Sequence, residues 1–350
     1  MAKRNSHIVT LILVAILALS TFGSARAADM EITVAQGASK GFLYLPFLVA
    51  EHEHYFAANG LKVKTLQVTS TAILSALLAG NADIGTNTPS TITAAARGKY
   101  LPTIVGITKQ FPAEVLVSNK AMTAAHISPS APVANRIKAL KGMKIGITSV
   151  GSTFDSLFRY VLPIYGLTPD KDVTLVPLGT ASAAMAALKT GAIDGYIDAA
   201  PSPQQAQADG LGKILISFSN GSVPEMAGYV QGYEATPAII NSNPKAVQAF
   251  VDSIAQALKF IHDFPEKATA IAAKANPNLR SDIFTRAYGE YHMVLPTTPV
   301  YSTTGFALNN KLVHAAQPRL PAIDTSKLVN QSFAIAAAKK YGLSLSADSH

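Results

Sequence analysis

The sequence predicts an α/β protein with two similar parallel-sheet lobes and a helical C-terminal segment. Short β-like runs alternate with helix-like stretches over residues 32–218, a pattern typical of parallel sheets with right-handed crossovers. The order of these elements occurs twice, and the chain beyond about residue 229 reads almost entirely as helix. A length of 350 residues suits two domains, at about 100–200 residues each.

The two copies of the repeat share their order and their loop residues. Gly80 ends one predicted helix and Asp83 follows it, and Gly191 and Asp194 repeat that step. A Pro-led helix, a closing Gly and a strand come next in both copies. We expect both aspartates to be structural because they lie near the starts of their strands. The sequence also predicts one helix over residues 42–58 and a loop over residues 122–135.

The composition excludes several classes of function. Charged residues make up 14% of the chain, hydrophobic residues 49%, and there is no cysteine. Disulfide scaffolds, zinc–thiolate and iron–sulfur sites and thiol catalysis all need cysteine and are therefore excluded. The net charge is +8 without basic runs, which argues against nucleic-acid binding.

Residues 1–27 have the pattern of a cleaved secretory signal peptide. Lys3 and Arg4 precede a 12-residue apolar stretch, and Ala25-Arg26-Ala27 forms a small-x-small cleavage pattern. The alternative, a membrane anchor, needs about 20 apolar residues. Cleavage after Ala27 removes three positive charges and no acid, which lowers the net charge from +8 to +5. We therefore expect an exported, periplasmic protein.

The loop between the first strand and helix of the second copy is the leading candidate binding site. Its candidate residues are Ser149, Gly151, Ser152 and Thr153. Helix N-termini at the carboxyl ends of parallel strands bind anions through free N–H groups and the helix dipole. The alternative interpretation is that Ser152 or Thr153 only caps the helix.

The corresponding loops of both copies supply the other candidates. In the first copy these are Ser39, Lys40, Phe42 and Tyr44, where Lys40 either neutralises an anion or is a solvated surface lysine. Thr86, Asn87 and Thr88 follow the third strand, with Thr88 expected to cap the helix that begins at Pro89. In the second copy Asp198 takes the matching place, either facing an amine or hydroxyl of a ligand or capping the helix at Pro201.

Catalytic and metal-binding patterns are absent from the sequence. His52 and His54 are two residues apart, whereas a zinc-binding helix needs the HExxH spacing. Residues 146–151 miss the G-x-S-x-G pattern of a nucleophile elbow, because one extra residue separates Gly146 from Ser149. No phosphate-binding GxxxxGK[ST] motif occurs, and no GxGxxG follows a strand. We therefore predict no catalytic residues, no metal site, no cofactor and no enzyme activity.

The chain resembles the periplasmic substrate-binding proteins of ABC importers, in particular the nitrate/sulfonate/taurine (NMT1-like, SsuA/TauA-type) group. The segments that carry the resemblance are residues 41–63, 77–86, 140–146, 151–153, 188–194 and 243–247. The resemblance implies a type II periplasmic binding protein fold with a ligand cleft between the lobes. The resemblance also implies that lobe one consists of residues 30–119 and 225–342, and that lobe two consists of residues 139–222.

The same resemblance implies a monomer that hands a small ligand to an ABC permease and its ATPase. A small anion (sulfonate, taurine, nitrate or carboxylate) is the first ligand class. A thiamine-precursor pyrimidine or an aromatic solute is the alternative, and the absence of tryptophan disfavours quaternary amines. A secreted sensor without a permease stays open. The pyrimidine-synthesising enzymes of similar fold carry a cysteine-rich motif that this chain lacks.

Overall fold

The structure is a computed structural model that describes residues 30–37, 41–277 and 280–347. The predicted signal peptide lies outside the described residues. The strands are β1 Met30–Gly37, β2 Leu61–Val68, β3 Ile84–Gly85, β4 Thr103–Gly106, β5 Glu114–Ser118, β6 Lys144–Ile147, β7 Thr174–Pro177, β8 Gly195–Asp198, β9 Gly212–Ser217 and β10 Gly232–Ala235.

The helices are α1 Leu45–His52, α2 Tyr55–Ala58, α3 Ser70–Leu78, α4 Thr88–Ala95, α5 Asn119–Ala124, α6 Val133–Lys138, α7 Thr153–Ile164, α8 Ala181–Thr190, α9 Ser202–Ala208, α10 Pro237–Ser242, α11 Pro244–Asp263, α12 Pro265–Ala275, α13 Ser281–Tyr291, α14 Gly305–Ala316 and α15 Ser332–Tyr341. The predicted helix over residues 42–58 is broken at His54, whose φ of 58° is left-handed. The predicted loop over residues 122–135 contains the end of α5 and the start of α6.

Two five-stranded sheets organise the described residues, in the orders β2-β1-β3-β10-β4 and β7-β6-β8-β5-β9. The pairs β1–β3, β6–β7 and β6–β8 are parallel, as the repeat predicts. However, β10 runs antiparallel to β3 and β4, and β5 runs antiparallel to β8 and β9. The predicted α/β class with two sheet lobes is confirmed, and each sheet is mixed because β5 and β10 add antiparallel pairs to the predicted parallel ones.

Strand β5 belongs to the second sheet, although the predicted boundary at residue 119 includes it in lobe one. Residues Glu114–Val117 are all buried, because the strand lies in the sheet between β8 and β9. Strand β10 occupies the equivalent place between β3 and β4. Each sheet therefore includes one strand that lies outside its own run of alternating strands and helices, and chain order alone does not reveal this.

The repeat is visible in matching hydrogen bonds. The Thr33 N–H donates to Asp83 Oδ2 and the Lys144 N–H donates to Asp194 Oδ2, both at 2.8 Å. In return, the Asp83 N–H donates to the Thr33 carbonyl oxygen and the Asp194 N–H donates to the Lys144 carbonyl oxygen, both at 2.8 Å. These bonds tie the third strand of each copy to the first, which agrees with the structural interpretation of both aspartates.

The C-terminal helices pack against helices of both repeat copies. Helix α11 packs against α1 and α15, and its buried residues recur at a spacing of three to four. Helix α14 packs on α7 from the second copy and on α4 from the first. Helix α13 contacts α9. The C-terminal segment therefore holds elements of both copies together.

Candidate functional site

The loops at the carboxyl ends of the two sheets meet. The segment after β1 and the segment after β8 are joined by a hydrogen bond from the Phe42 N–H to the Ala200 carbonyl oxygen, at 3.2 Å. Helix α13 closes the same region, since Gln204 Nε2 on α9 donates to Glu290 Oε2 on α13 at 3.0 Å. The two edges predicted as binding edges therefore face each other.

The two predicted aromatic contacts, Phe42 and Tyr44, are both buried. The Phe42 ring lies 5.9 Å from Phe284, 6.0 Å from Tyr288 and 5.3 Å from Tyr291, centroid to centroid. The Tyr44 hydroxyl accepts a hydrogen bond from the Gly37 N–H at 3.0 Å. Both side chains therefore make contacts within the protein at the cleft edge. Ser39 and Lys40 lie outside the described residues.

Residues Thr86–Thr88 are buried at the end of β3. Asn87, not Thr88, caps α4, because its Oδ1 accepts from the Ser90 N–H and the helix begins at Thr88. The Thr88 hydroxyl instead donates to Glu234 Oε1 at 2.5 Å. The Thr86 hydroxyl accepts from Gln231 Nε2 at 3.4 Å. The predicted capping role of Thr88 is therefore wrong.

Glu234 on β10 is a fully buried carboxylate that sequence reasoning missed. It accepts from the Asn87 N–H at 3.0 Å and from the hydroxyls of Thr88 and Thr103. Burial raises the pKa of Glu234 to about 7 in spite of these bonds. The N-terminus of α4 therefore already holds a carboxylate of the chain. A glutamate inside the apolar run of β10 was the available signal.

The N-terminus of α7 also holds a carboxylate. Ser152 Oγ accepts from the Asp155 N–H at 3.3 Å, and the Gly151 N–H donates to Asp155 Oδ2 at 2.9 Å. Asp155 is buried and pairs with Arg159 Nε at 3.0 Å. Ser149 and Thr153 are half-buried on either side of this turn. The capping interaction offered as the alternative for Ser152 is present in the structure.

Replacing Ser152 with alanine is expected to lower the free energy of unfolding by about 1 kcal/mol, because the cap of α7 is lost. Urea unfolding measures this change, and Ser182→Ala, at an exposed position of α8, is the control. If Ser152 also contacts the solute, calorimetric titration of the variant will show binding weakened by about 1–2 kcal/mol more than in the control. An unchanged unfolding curve would contradict the capping role.

Asp198 ends β8 and does not cap the next helix. Helix α9 begins at Ser202, and its first turn has no side-chain cap from Pro201. Asp198 Oδ1 accepts from the Ala199 N–H at 2.8 Å, and a hydrogen bond from Ser202 also holds the carboxylate. Burial, the largest cause, raises the pKa of Asp198 to about 6. The other role predicted for Asp198, facing a ligand, stays a prediction.

Glu114 is the second buried carboxylate that sequence reasoning missed. It begins β5, pairs in register with Asp198 and is fully buried. Ser219 Oγ donates to its Oε1 at 2.6 Å. Burial, followed by the negative charges of Glu290 and Asp198, raises the pKa of Glu114 to about 8. A charged residue at the start of the apolar run Glu114-Val-Leu-Val was the signal.

The described residues contain neither a metal-binding cluster nor a membrane-spanning helix. No three His, Asp or Glu side chains in that part of the chain are grouped so that they could hold a metal ion. None of its helices is long and apolar enough to cross a membrane.

The structure contains two mixed β-sheets, each completed by a strand from outside its own repeat copy. Together with their helices, these sheets define the two-lobed fold of periplasmic solute-binding proteins. The NMT1-like family model matches residues 33–276, and the chain belongs to this family. No curated protein matches the sequence.

Solved structures with this fold are similar to the chain at low identity. A protein from Bordetella bronchiseptica RB50 is 24% identical, with a TM-score of 0.76, over 91% of this chain and 99% of that one. The aliphatic sulphonate binding protein SsuA from Escherichia coli is 18% identical, with a TM-score of 0.66, over 86% and 92%. The nitrate-binding protein NrtA from Synechocystis PCC 6803 is 18% identical, with a TM-score of 0.59, over 74% and 70%. The desulfurization enzyme DSZB has a similar fold, with a TM-score of 0.62 at 14% identity.

Proposed function

We propose that the chain is an extracytoplasmic solute-binding protein that captures a small organic or inorganic solute between its lobes and delivers it to an ABC permease and its ATPase. The observation that carries this proposal is the meeting of the two strand edges at Phe42 and Ala200. In a doubly wound sheet, ligands bind outside the carboxyl ends of the strands. Two such edges facing each other enclose a solute from both sides.

The proposal includes export and a binding role without catalysis. The predicted signal peptide directs the chain to the periplasm and is cleaved after Ala27. The mature protein acts there as a monomer. Family membership and the binding proteins among the relatives support a binding role. The fold alone does not decide between binding and chemistry, because DSZB has a similar one. A stand-alone sensor would bind the same solute without a permease, and permease and ATPase genes beside this one distinguish the two roles.

The ligand class that we propose first is a sulfonate, taurine, nitrate or carboxylate. The names of the sulfonate-binding and nitrate-binding relatives support this class. The second candidate is a pyrimidine or another aromatic solute. The aromatic side chains around Phe42 and the acids around Glu114 favour it, since ring nitrogens and amino groups hydrogen-bond to carboxylates.

A thermal-shift screen of sulfonates, nitrate, carboxylates and pyrimidines on the mature protein tests this function. A solute at 100 times its dissociation constant stabilises the folded state by about 2.7 kcal/mol. A solute that stabilises the protein and binds with one-to-one stoichiometry supports the proposal. The absence of a stabilising solute across all four classes would contradict it.

Solute binding is expected to close the two lobes, because hinge closure around a ligand brings two such edges together. Small-angle X-ray scattering of the mature protein with and without a solute from the screen measures the change. We expect a smaller radius of gyration at saturation than in the absence of the solute. Identical scattering curves in the two states would argue against hinge closure.

A further inference from the structure

Three polar atoms at the meeting point of the lobes have no hydrogen-bond partner in the part of the chain that the structure describes. They are Glu114 Oε2, Gln204 Oε1 and the Tyr291 hydroxyl, on side chains that are 0%, 1% and 0% exposed. Buried polar atoms are nearly always hydrogen-bonded, because desolvation without a partner costs free energy. Three such atoms in one region therefore indicate a group that this chain does not itself supply.

These three side chains form one cluster. Gln204 Nε2 donates to Glu290 Oε2 at 3.0 Å. Helix α9, which carries Gln204, contacts both strand β5, which carries Glu114, and helix α13, which carries Glu290 and Tyr291. Strand β5, helix α9 and helix α13 thus contribute to the same place, where the Phe42 ring also contacts Tyr291.

In the described part of the chain, the two charged groups that act on Glu114 are both acidic. Asp198 faces it from β8 and Glu290 from α13, and both carry negative charge. The neutral groups that face it are the Ser219 hydroxyl after β9, Tyr196 on β8 and Tyr291 on α13. Among the described residues, none of the charged groups that act on Glu114 is basic. The ionised carboxylate therefore needs a positive partner from outside the described chain.

The unpaired atoms restrict the chemistry of that partner. In its ionised form Glu114 offers Oε2 as a hydrogen-bond acceptor, and Gln204 Oε1 is an acceptor as well, so both atoms then need N–H or O–H donors. An ammonium or amidinium group supplies several donors together with the positive charge. A quaternary ammonium group supplies no donor, and a sulfonate or nitrate oxygen at this place would be repelled by ionised Asp198, and by Glu114 wherever that group is ionised.

We propose that Glu114, with Gln204 and Tyr291 beside it, binds a positively charged N–H group of the solute, such as a primary ammonium or an amidinium. This inference rests on the proposed solute-binding function and specifies one end of the solute. The other end is free to be an acid, as in an amino sulfonate, or an aromatic ring.

The test is a titration of matched solute pairs that differ only in this group. The mature protein is titrated calorimetrically with 2-aminoethanesulfonate and ethanesulfonate, with 3-aminopropanoate and propanoate, and with benzamidine and benzamide, at pH 8.5. We expect the charged member of at least one pair to bind at least tenfold more tightly than its analogue.

Two variants show whether Glu114 is responsible. Glu114→Gln keeps an acceptor for the Ser219 hydroxyl and removes the charge. We expect it to weaken binding of the charged solute at least tenfold and to leave the affinity for the uncharged analogue unchanged. Tyr291→Phe removes a hydroxyl that has no hydrogen-bond partner among the described residues, and it is expected to weaken binding of the charged solute severalfold. The matched control is Glu266→Gln, which removes one charge at an exposed position of α12 and should bind as wild type does. Circular dichroism melts confirm that each variant is folded.

The outcomes separate this inference from the proposed function. Binding of ethanesulfonate, nitrate or propanoate without preference for the amino analogue would overturn the ammonium site and leave solute binding intact. Equal affinity of wild type and Glu114→Gln for the charged solute would also overturn it. A protein that binds nothing in this panel or in the thermal-shift screen would overturn the proposed function and the site together.

Discussion

Replacing Phe42 with alanine is expected to lower the free energy of unfolding by about 3–5 kcal/mol, the usual cost of removing a buried phenylalanine ring. The ring is fully buried and contacts Phe284, Tyr288 and Tyr291. The substitution leaves a cavity between the segment after β1 and helix α13. Part of the cost is the loss of the aromatic pairs, which contribute about 0.5–1.5 kcal/mol each beyond their buried area.

Urea unfolding of the ligand-free protein measures this effect. Phe264→Ala is the control, because that ring lies between helices α11 and α12 and is 46% exposed. We expect the control to change stability far less than Phe42→Ala, as is usual for exposed positions. If Phe42 mainly stacks on a solute, its variant would instead lose affinity while unfolding at the wild-type urea concentration.

The stability of the ligand-free protein is expected to fall as the pH rises from 5 to 9, and Glu114→Gln is expected to remove much of this fall. Burial raises the pKa of Glu114 from 4.5 to about 8. The folded state therefore binds a proton that the unfolded state has already released. The stabilisation is complete below pH 4.5 and is lost as the pH rises through 8. Over that range the loss is on the order of 5 kcal/mol.

Other groups titrate in the same direction and determine what remains in the variant. Burial raises the pKa of Glu234 to about 7 and that of Asp198 to about 6. Glu114→Gln should therefore reduce the slope of stability against pH throughout pH 5 to 8, leave little slope between pH 7 and 8, and stabilise the protein most, relative to wild type, above pH 8.

Urea unfolding at one-unit pH steps measures this dependence, with Glu266→Gln as the exposed control. Parallel curves for wild type and Glu114→Gln would show that Glu114 is ionised in the folded state throughout this range. Such a result would also require a cationic partner from within the chain itself.

Local sequence patterns predicted most of the secondary structure because the signals are strong at short range. Gly80 and Gly191 end their helices with φ of 73° and 76°, a conformation that glycine adopts without strain. Asn243 caps α11 ahead of Pro244, as the sequence suggests. The predicted helix over residues 42–58 fails where His54 adopts a left-handed conformation, which no residue pattern there indicates.

The candidate site was predicted only in part. The loops after β1, β3, β6 and β8 follow from the repeat, since parallel strands end at one edge of a sheet. What those loops bind did not follow, because the carboxylates of Glu234 and Asp155 already occupy two helix N-termini that looked suited to an anion. Asp155 is close in sequence to the loop that it fills, but Glu234 comes from a strand 147 residues further along the chain than Asn87.

The sequence by itself determined the order of strands and helices within the two repeat copies, the internal repeat and the family, because these depend on residues close together in the chain or on whole segments. It predicted neither strand β5 nor strand β10. Only the tertiary structure decided that β5 and β10 complete the two sheets as antiparallel strands. It also decided that Glu114 and Glu234 are buried at the cleft edge. Strand pairing and the burial of a carboxylate depend on contacts between residues far apart in the chain, and no local pattern of side chains encodes those contacts.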